Sequence, residues 1–98
     1  MPKLGMRDLI SFVNYKIDVI CSQIGRGASI EDLRGKNPDL IFHERFNLYE
    51  PNRHPIEVYY TNGDQNIPVC KWEQFGDFPN DKQRKEIIRD IGFWKVAE

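Results

Sequence analysis

The sequence predicts an α+β fold: an N-terminal helix, a short helical turn, a three-stranded antiparallel meander and a C-terminal helix. Three observations carry this. Apolar residues recur at helical spacing from Leu9 to Ile24, the pattern switches to period two at Leu40, and Asn62-Gly63 separates two strand-like runs. At 98 residues the chain is the size of one compact domain, 1–98. Helices before and after an antiparallel sheet should pack on one of its faces and leave the other partly solvated.

The first helix is expected from about Met6 to Ile24. Leu9, Val13, Ile17, Ile20 and Ile24 form its apolar stripe, widened by Ile10, Phe12 and Cys21. Arg7, Ser11, Asn14, Lys16, Asp18 and Ser22 fall on the polar side. Asp8 suits the positive end of the helix dipole. Gly25 stands where a left-handed C-terminal cap is wanted, with Arg26 beyond it. Ser29-Ile30-Glu31-Asp32 reads as a capping box opening a short helical turn that ends at Gly35. Pro38 then biases Asn37 away from helical geometry.

From Leu40 to Tyr49 the alternation places Leu40, Phe42, Phe46 and Leu48 on one strand face, interrupted by Glu44. His43, Arg45 and Asn47 fall on the other. Glu50 to Pro55 reads as a turn, and Ile56 to Thr61 as a second strand rich in β-branched and aromatic residues. After Asn62-Gly63 a third strand is expected from about Asn66 to Glu73, with Pro68 marking an edge or a bulge. Asp77 or Asn80 caps a last helix of about Asp81 to Ile91, with Gly92 as its left-handed cap and Phe93 folding back onto Ile88. The exposed sheet face should carry His43, Arg45, Asn47, Glu57 and Tyr59.

Composition narrows the function classes. The net charge is -1, from 14 basic and 15 acidic residues. A dedicated DNA-backbone binder is strongly basic and a DNA mimic strongly acidic, so any charged partner must meet a local patch. No apolar run is long enough to span a bilayer, and the amino-terminal residues lack the pattern of a secretory leader, so the expected location is cytoplasmic and no membrane partner is expected. Cys21 and Cys70 sit among apolar neighbours and read as structural free thiols.

Candidate chemistry is sparse. His43 and His54 lie across a strand and a turn, without the spacing of a zinc pair, so no metal is expected. Cys21 on an apolar helix face is a poor nucleophile. Gly25-Arg26-Gly27 lacks the ending of a phosphate-binding loop and follows a helix instead of preceding one. His43 and Glu44 are strand neighbours pointing to opposite sides, which rules out a dyad. Glu44 falls in an apolar register, where a carboxylate pairs with a Lys or Arg or snorkels at the sheet end, a functional carboxylate being the alternative. No catalytic residue and no cofactor are therefore expected.

Two surfaces remain. Lys82, Lys85 and Arg89 form one stripe on the last helix, with Arg84 beside it. With Arg26, Arg34 and Lys36 around the Gly-containing loops, and with Arg45 and Tyr59, this stripe offers phosphate contacts and a stacking ring, the alternative being a solvated face paired with the interleaved Asp81, Glu86 and Asp90. Tyr49, Tyr59, Tyr60, Trp72, Phe75, Phe78 and Trp94 are concentrated on or near strands and loops, and aromatics with Arg most often anchor protein interfaces.

The order helix, three strands, helix resembles the double-stranded-RNA-binding fold and the small HicA-type toxins built on it. The closing Ile87-Ile88-Arg89-Asp90-Ile91-Gly92-Phe93 is similar in rhythm to the last helix of those toxins. That resemblance implies RNA binding or a toxin-like ribonuclease activity. The Gly-Ser-His signature of the toxins is absent, His43 standing in Phe42-His43-Glu44, so no catalytic residue carries over.

The leading expectation is a small non-enzymatic protein-interaction module, an inhibitor or adaptor of a larger intracellular complex, as small phage and mobile-element inhibitors are. Its partner-binding residues are expected among Arg45, Tyr59, Trp72, Phe75, Phe78, Lys82, Lys85 and Arg89. The alternatives are RNA binding through the basic stripe, and a homodimer through an open sheet edge in place of a monomer.

Overall fold

A computed structural model describes residues 3–75 and 80–97, and its elements follow the predicted order. They are α1 (Met6–Gly25), α2 (Ile30–Lys36), β1 (Leu40–Glu44), β2 (Arg53–Asn62), β3 (Gln65–Phe75) and α3 (Asp81–Gly92). The strands pair antiparallel in the order β1-β2-β3, so the fold is α+β with an open meander. Strand alternation turns Leu40, Phe42, Ile56, Val58, Cys70 and Trp72 to one face. There they meet Leu9, Val13, Ile17, Ile20 and Ile24 of α1 and Ile87 and Ile91 of α3. The helices thus cover one sheet face, as expected.

Pro68 marks both an edge strand and a bulge. The β2–β3 register shifts between Val58 and Tyr59, which pair with Cys70 and Pro68 and leave Val69 as the extra residue. The bulge breaks the alternation, so the consecutive Val69 and Cys70 are both buried.

Several boundaries differ from the sequence expectation for identifiable reasons. Helix α1 runs through Gly25, and the left-handed residue is Gly27, at φ 93°. The Ala28 N–H bonds the Gln23 carbonyl and the Gly27 N–H bonds the Ile24 carbonyl, both at 3.0 Å, which is a Schellman closure two residues later than predicted. Gly92 is not left-handed, since only Gly27 and Gly63 have positive φ among the described residues. Phe93 is exposed, and Trp94 packs against the core in its place.

Strand β1 stops at Glu44, whereas the alternation predicted continuation to Tyr49. Phe46, Leu48 and Tyr49 fall on an irregular connection. Conversely, Arg53, His54 and Pro55, read as a turn, open β2, where the Pro55 carbonyl accepts from the Arg45 N–H at 2.9 Å. The capping box at Ser29 forms as predicted. Asn80 caps α3 by accepting from the Gln83 N–H at 2.9 Å; the other candidate, Asp77, lies outside the described residues.

Two residues predicted on the polar side of α1 are buried. Lys16 donates to Asn37 Oδ1 at 2.9 Å and to Asp39 Oδ1 at 3.1 Å. Asn37, fully buried, donates in turn to Gln23 Oε1 and to the Leu33 carbonyl, each at 2.8 Å. Asn14 exchanges two bonds with the backbone of Val96, donating at 2.6 Å and accepting at 2.9 Å. Asn62 does the same for Leu4, accepting at 2.9 Å and donating at 3.3 Å. Each amide treats a terminal segment as a neighbouring strand would, satisfying backbone groups that no ladder reaches.

Candidate functional site

The solvated sheet face is built by the same alternation that fills the core. His43 stands opposite Glu57 across β1–β2, and Glu57 stands opposite Lys71 across β2–β3. Arg45, the first residue past β1, returns over this face, where its Nε pairs with Glu57 Oε1. The Tyr59 hydroxyl donates to Glu57 Oε2. Glu57 thereby joins Arg45 and Tyr59, two of the residues singled out from the sequence. The Tyr59 hydroxyl bond, and to a lesser degree Arg45, hold the Glu57 carboxyl below the usual carboxylate range. The same bond pushes the Tyr59 phenol up. At neutral pH Glu57 is therefore charged and Tyr59 protonated, an arrangement suited to fixed recognition more than to proton transfer.

Beside this cluster lies an open cleft of about 630 Å³, whose lining includes Arg45, Pro55, Glu57, Lys71, Glu73 and Trp94. Trp94, two residues past α3, sets its ring 6.0 Å from the Lys71 ammonium, within cation–π range.

The end of the sheet away from the Asn62-Gly63 turn exposes large apolar side chains alongside the ion pairs of Arg53 with Glu50 and Glu73. Phe46 is 71% exposed, Leu48 81% and Tyr49 95%, all on the connection between β1 and β2. Phe75, 51% exposed at the end of β3, pairs with Arg53 across the ladder and flanks the Glu50–Arg53 turn. Trp72, in contrast, is only 4% exposed and belongs to the core, so its indole is withdrawn from any partner. Phe78 lies outside the described residues.

The basic stripe is present and solvated. Lys82, Lys85 and Arg89 are exposed on α3, and Arg89 lies 3.5 Å from Asp90. Arg84 is not part of it: its guanidinium donates to the Ile24 and Ala28 carbonyls at 3.0 and 3.2 Å and closes the end of α1. Arg34 reaches Glu44 at 3.3 Å and the Phe42 carbonyl at 3.0 Å, which supplies the partner Glu44 needed and covers part of the β1 edge.

Both cysteines are free. Burial pushes the Cys70 thiol up to about 12, with Cys21 adding to the effect. Burial, followed by Asp18, also raises Cys21, which is only half-buried. The buried Cys70 thus stays a thiol across the neutral range. A thiol reagent is therefore expected to label the native protein slowly at Cys21, and Cys70 only on unfolding. Native labelling of Cys70 at the rate of a free thiol would contradict that burial. Among the described residues no three His, Cys, Asp or Glu side chains converge as a metal site requires.

Phe46 and Leu48 are the exposed residues that the alternation placed on a strand face with Leu40 and Phe42. The available signal was Glu50-Pro51-Asn52 closing in on Arg45, which leaves little length for a strand that must also turn. No family model, curated protein or solved structure matches the chain. Among the described residues no helix is long and apolar enough to cross a membrane.

Proposed function

We propose that this chain is a non-enzymatic protein-interaction module, an inhibitor or adaptor that docks on a larger intracellular complex through the end of its sheet that exposes large apolar side chains. The observation that carries this reading is the exposure, each by more than half, of Phe46, Leu48 and Tyr49 on the β1–β2 connection and of Phe75 at the end of β3. Large apolar side chains exposed singly are ordinary, but a group on one loop and the adjoining strand end is the signature of a contact surface. Aromatic anchors beside an Arg, here Arg45, match the residue types that dominate binding energies.

The test is capture from native cell lysate with tagged protein, run with and without nuclease and at low and high salt. A discrete protein complex insensitive to nuclease is expected. The triple substitution Phe46→Ser, Leu48→Ser, Tyr49→Ser should reduce its recovery more than tenfold. The thermal midpoint should stay within a few degrees, because exposed positions each contribute no more than about 0.5 kcal/mol. Undiminished capture by the triple variant would sink the assignment of this surface.

A second reading, RNA binding with toxin-like activity as its extreme form, is supported by the solvated stripe of Lys82, Lys85 and Arg89. It predicts nuclease-sensitive capture, abolished by charge reversal at those three positions and retained in the loop variant.

A further inference from the structure

We infer that the outer edge of β3 pairs antiparallel with the same edge of a second copy of this chain, about a two-fold axis at Trp72 that sets Lys71 of each copy opposite Glu73 of the other. This surface is separate from the docking end and does not depend on it. The two edges of the sheet are treated differently. Along β1, two groups that point away from β2 are occupied: the Leu40 N–H bonds the Asn37 carbonyl at 3.0 Å, and the Phe42 carbonyl accepts from Arg34 at 3.0 Å. Such cover keeps an edge strand from pairing. The other terminal strand is β3.

The direction of the β3 backbone groups follows from the register. The Arg45 N–H bonds the Pro55 carbonyl at 2.9 Å, which turns Pro55 toward β1. Direction alternates along a strand, so Ile56 turns toward β3 and its opposite residue, Trp72. Lys71 and Glu73, on either side of Trp72, therefore point their N–H and C=O groups outward. Among the described residues nothing outside the sheet takes these groups up. Open space lies along them: Glu57 on the solvated face and Asp90 of α3, which packs on the other face, line one cleft with Lys71, Trp72 and Glu73. Pro68 and the bulge at Val69 blunt only the first half of β3, and the register from Cys70 to Phe75 is regular.

Backbone direction and charge select the same register. Pairing about Trp72 brings outward-facing Lys71 against outward-facing Glu73, so both symmetry-related pairs exchange N–H···O bonds. Both side chains are exposed, and each pair joins a cation to an anion. Moving the axis by one residue, to Lys71 or to Glu73, would oppose two lysines or two glutamates at its centre. Within one copy Glu57 stands opposite Lys71. The junction continues that alternation of sign, from Glu57 to Lys71 and on to Glu73 of the second copy. Because the pairing is antiparallel, the two β1–β2 connections lie at opposite ends of one continuous sheet.

The test is sedimentation of the full chain from the micromolar to the millimolar range, with residue-resolved amide exchange. A reversible monomer–dimer equilibrium is expected, with exchange at Lys71 and Glu73 slowing as concentration rises. Lys71→Glu and Glu73→Lys should each weaken the dimer about tenfold, since both cross-strand pairs turn from opposite to like charge. Both positions are exposed, so the variants keep the fold. An equimolar mixture of the two variants should restore dimerisation, because one chain then presents only acidic and the other only basic side chains at the junction. A monomer throughout, exchange protection at Phe42 and Glu44 instead of Lys71 and Glu73, or a mixture no tighter than its components would each overturn the inference.

Discussion

Replacing Trp72 with alanine is expected to lower stability by about 3–5 kcal/mol, the range for deleting a buried aromatic. At roughly 5 °C per kcal/mol for a domain of this size, the thermal midpoint should fall by about 15–25 °C. The ring is 4% exposed, and its residue pairs with Ile56, itself 1% exposed, in the sheet face that meets α1 and α3. The indole N–H is buried without a hydrogen-bond partner among the described residues. Trp72→Phe should therefore cost much less than the alanine change, because losing the unpartnered donor offsets part of the smaller ring's packing deficit. Thermal melts of the two variants side by side check the pair. Native stability in Trp72→Ala, with partner capture lost, would instead make the indole a contact residue.

Asn37→Ala should be nearly as damaging, at about 2–4 kcal/mol, although it removes a small polar side chain. Asn37 is fully buried and joins three segments: it accepts from Lys16 of α1, donates to Gln23 further along α1, and donates to the Leu33 carbonyl of α2. Alanine would leave the Lys16 ammonium, itself buried, with Asp39 as its remaining partner. It would also take the Asn37 amide from the Gln23 side-chain oxygen, while the Leu33 carbonyl keeps the backbone N–H of residue 37 at 3.0 Å. Lys16→Met in the Asn37→Ala background should recover part of the loss, because it removes the buried charge whose partner is gone. Denaturant melts of the two single variants and the double variant measure that coupling. Strict additivity would mean the network is not a unit.

The fold class was legible because it depends on periodicity, which each element carries within itself. Leu9 to Ile24 and Ile56 to Thr61 needed no information from elsewhere. Errors occurred where a local pattern was compatible with two outcomes. The alternation of Phe46 and Leu48 reads as a strand, but a strand needs a partner, and β2 opposite them is paired only through Leu40–Glu44. The capping glycine was misplaced by two residues because Gly25 and Gly27 both suit the role, and the choice is made by which carbonyls the next amides reach.

Lys16 and Asn14 were unreadable for a different reason. Their partners lie 21, 23 and 82 residues away, so their burial is a property of the assembled fold and not of their helix. The candidate site follows the same division. Arg45 and Tyr59 were legible as surface residues from strand alternation. The meeting of both on Glu57 required the register, and the exposure of Phe46, Leu48 and Tyr49 required knowing where β1 stops.

The two asparagine clamps also determine where the chain can be handled. Asn62 holds Leu4 beside the β2–β3 turn, where the Lys3 side chain lies against Gly63. Asn14 holds Val96, and Ala97 comes to rest by Met6 and Ile10 at the start of α1. Both ends therefore leave from the side of that turn, while the aromatic connection sits at the opposite end of the ten-residue β2, roughly 30 Å away. A tag, a surface linkage or a fused neighbour attached at either end would hold the molecule with its aromatic end pointing outward, ready to engage.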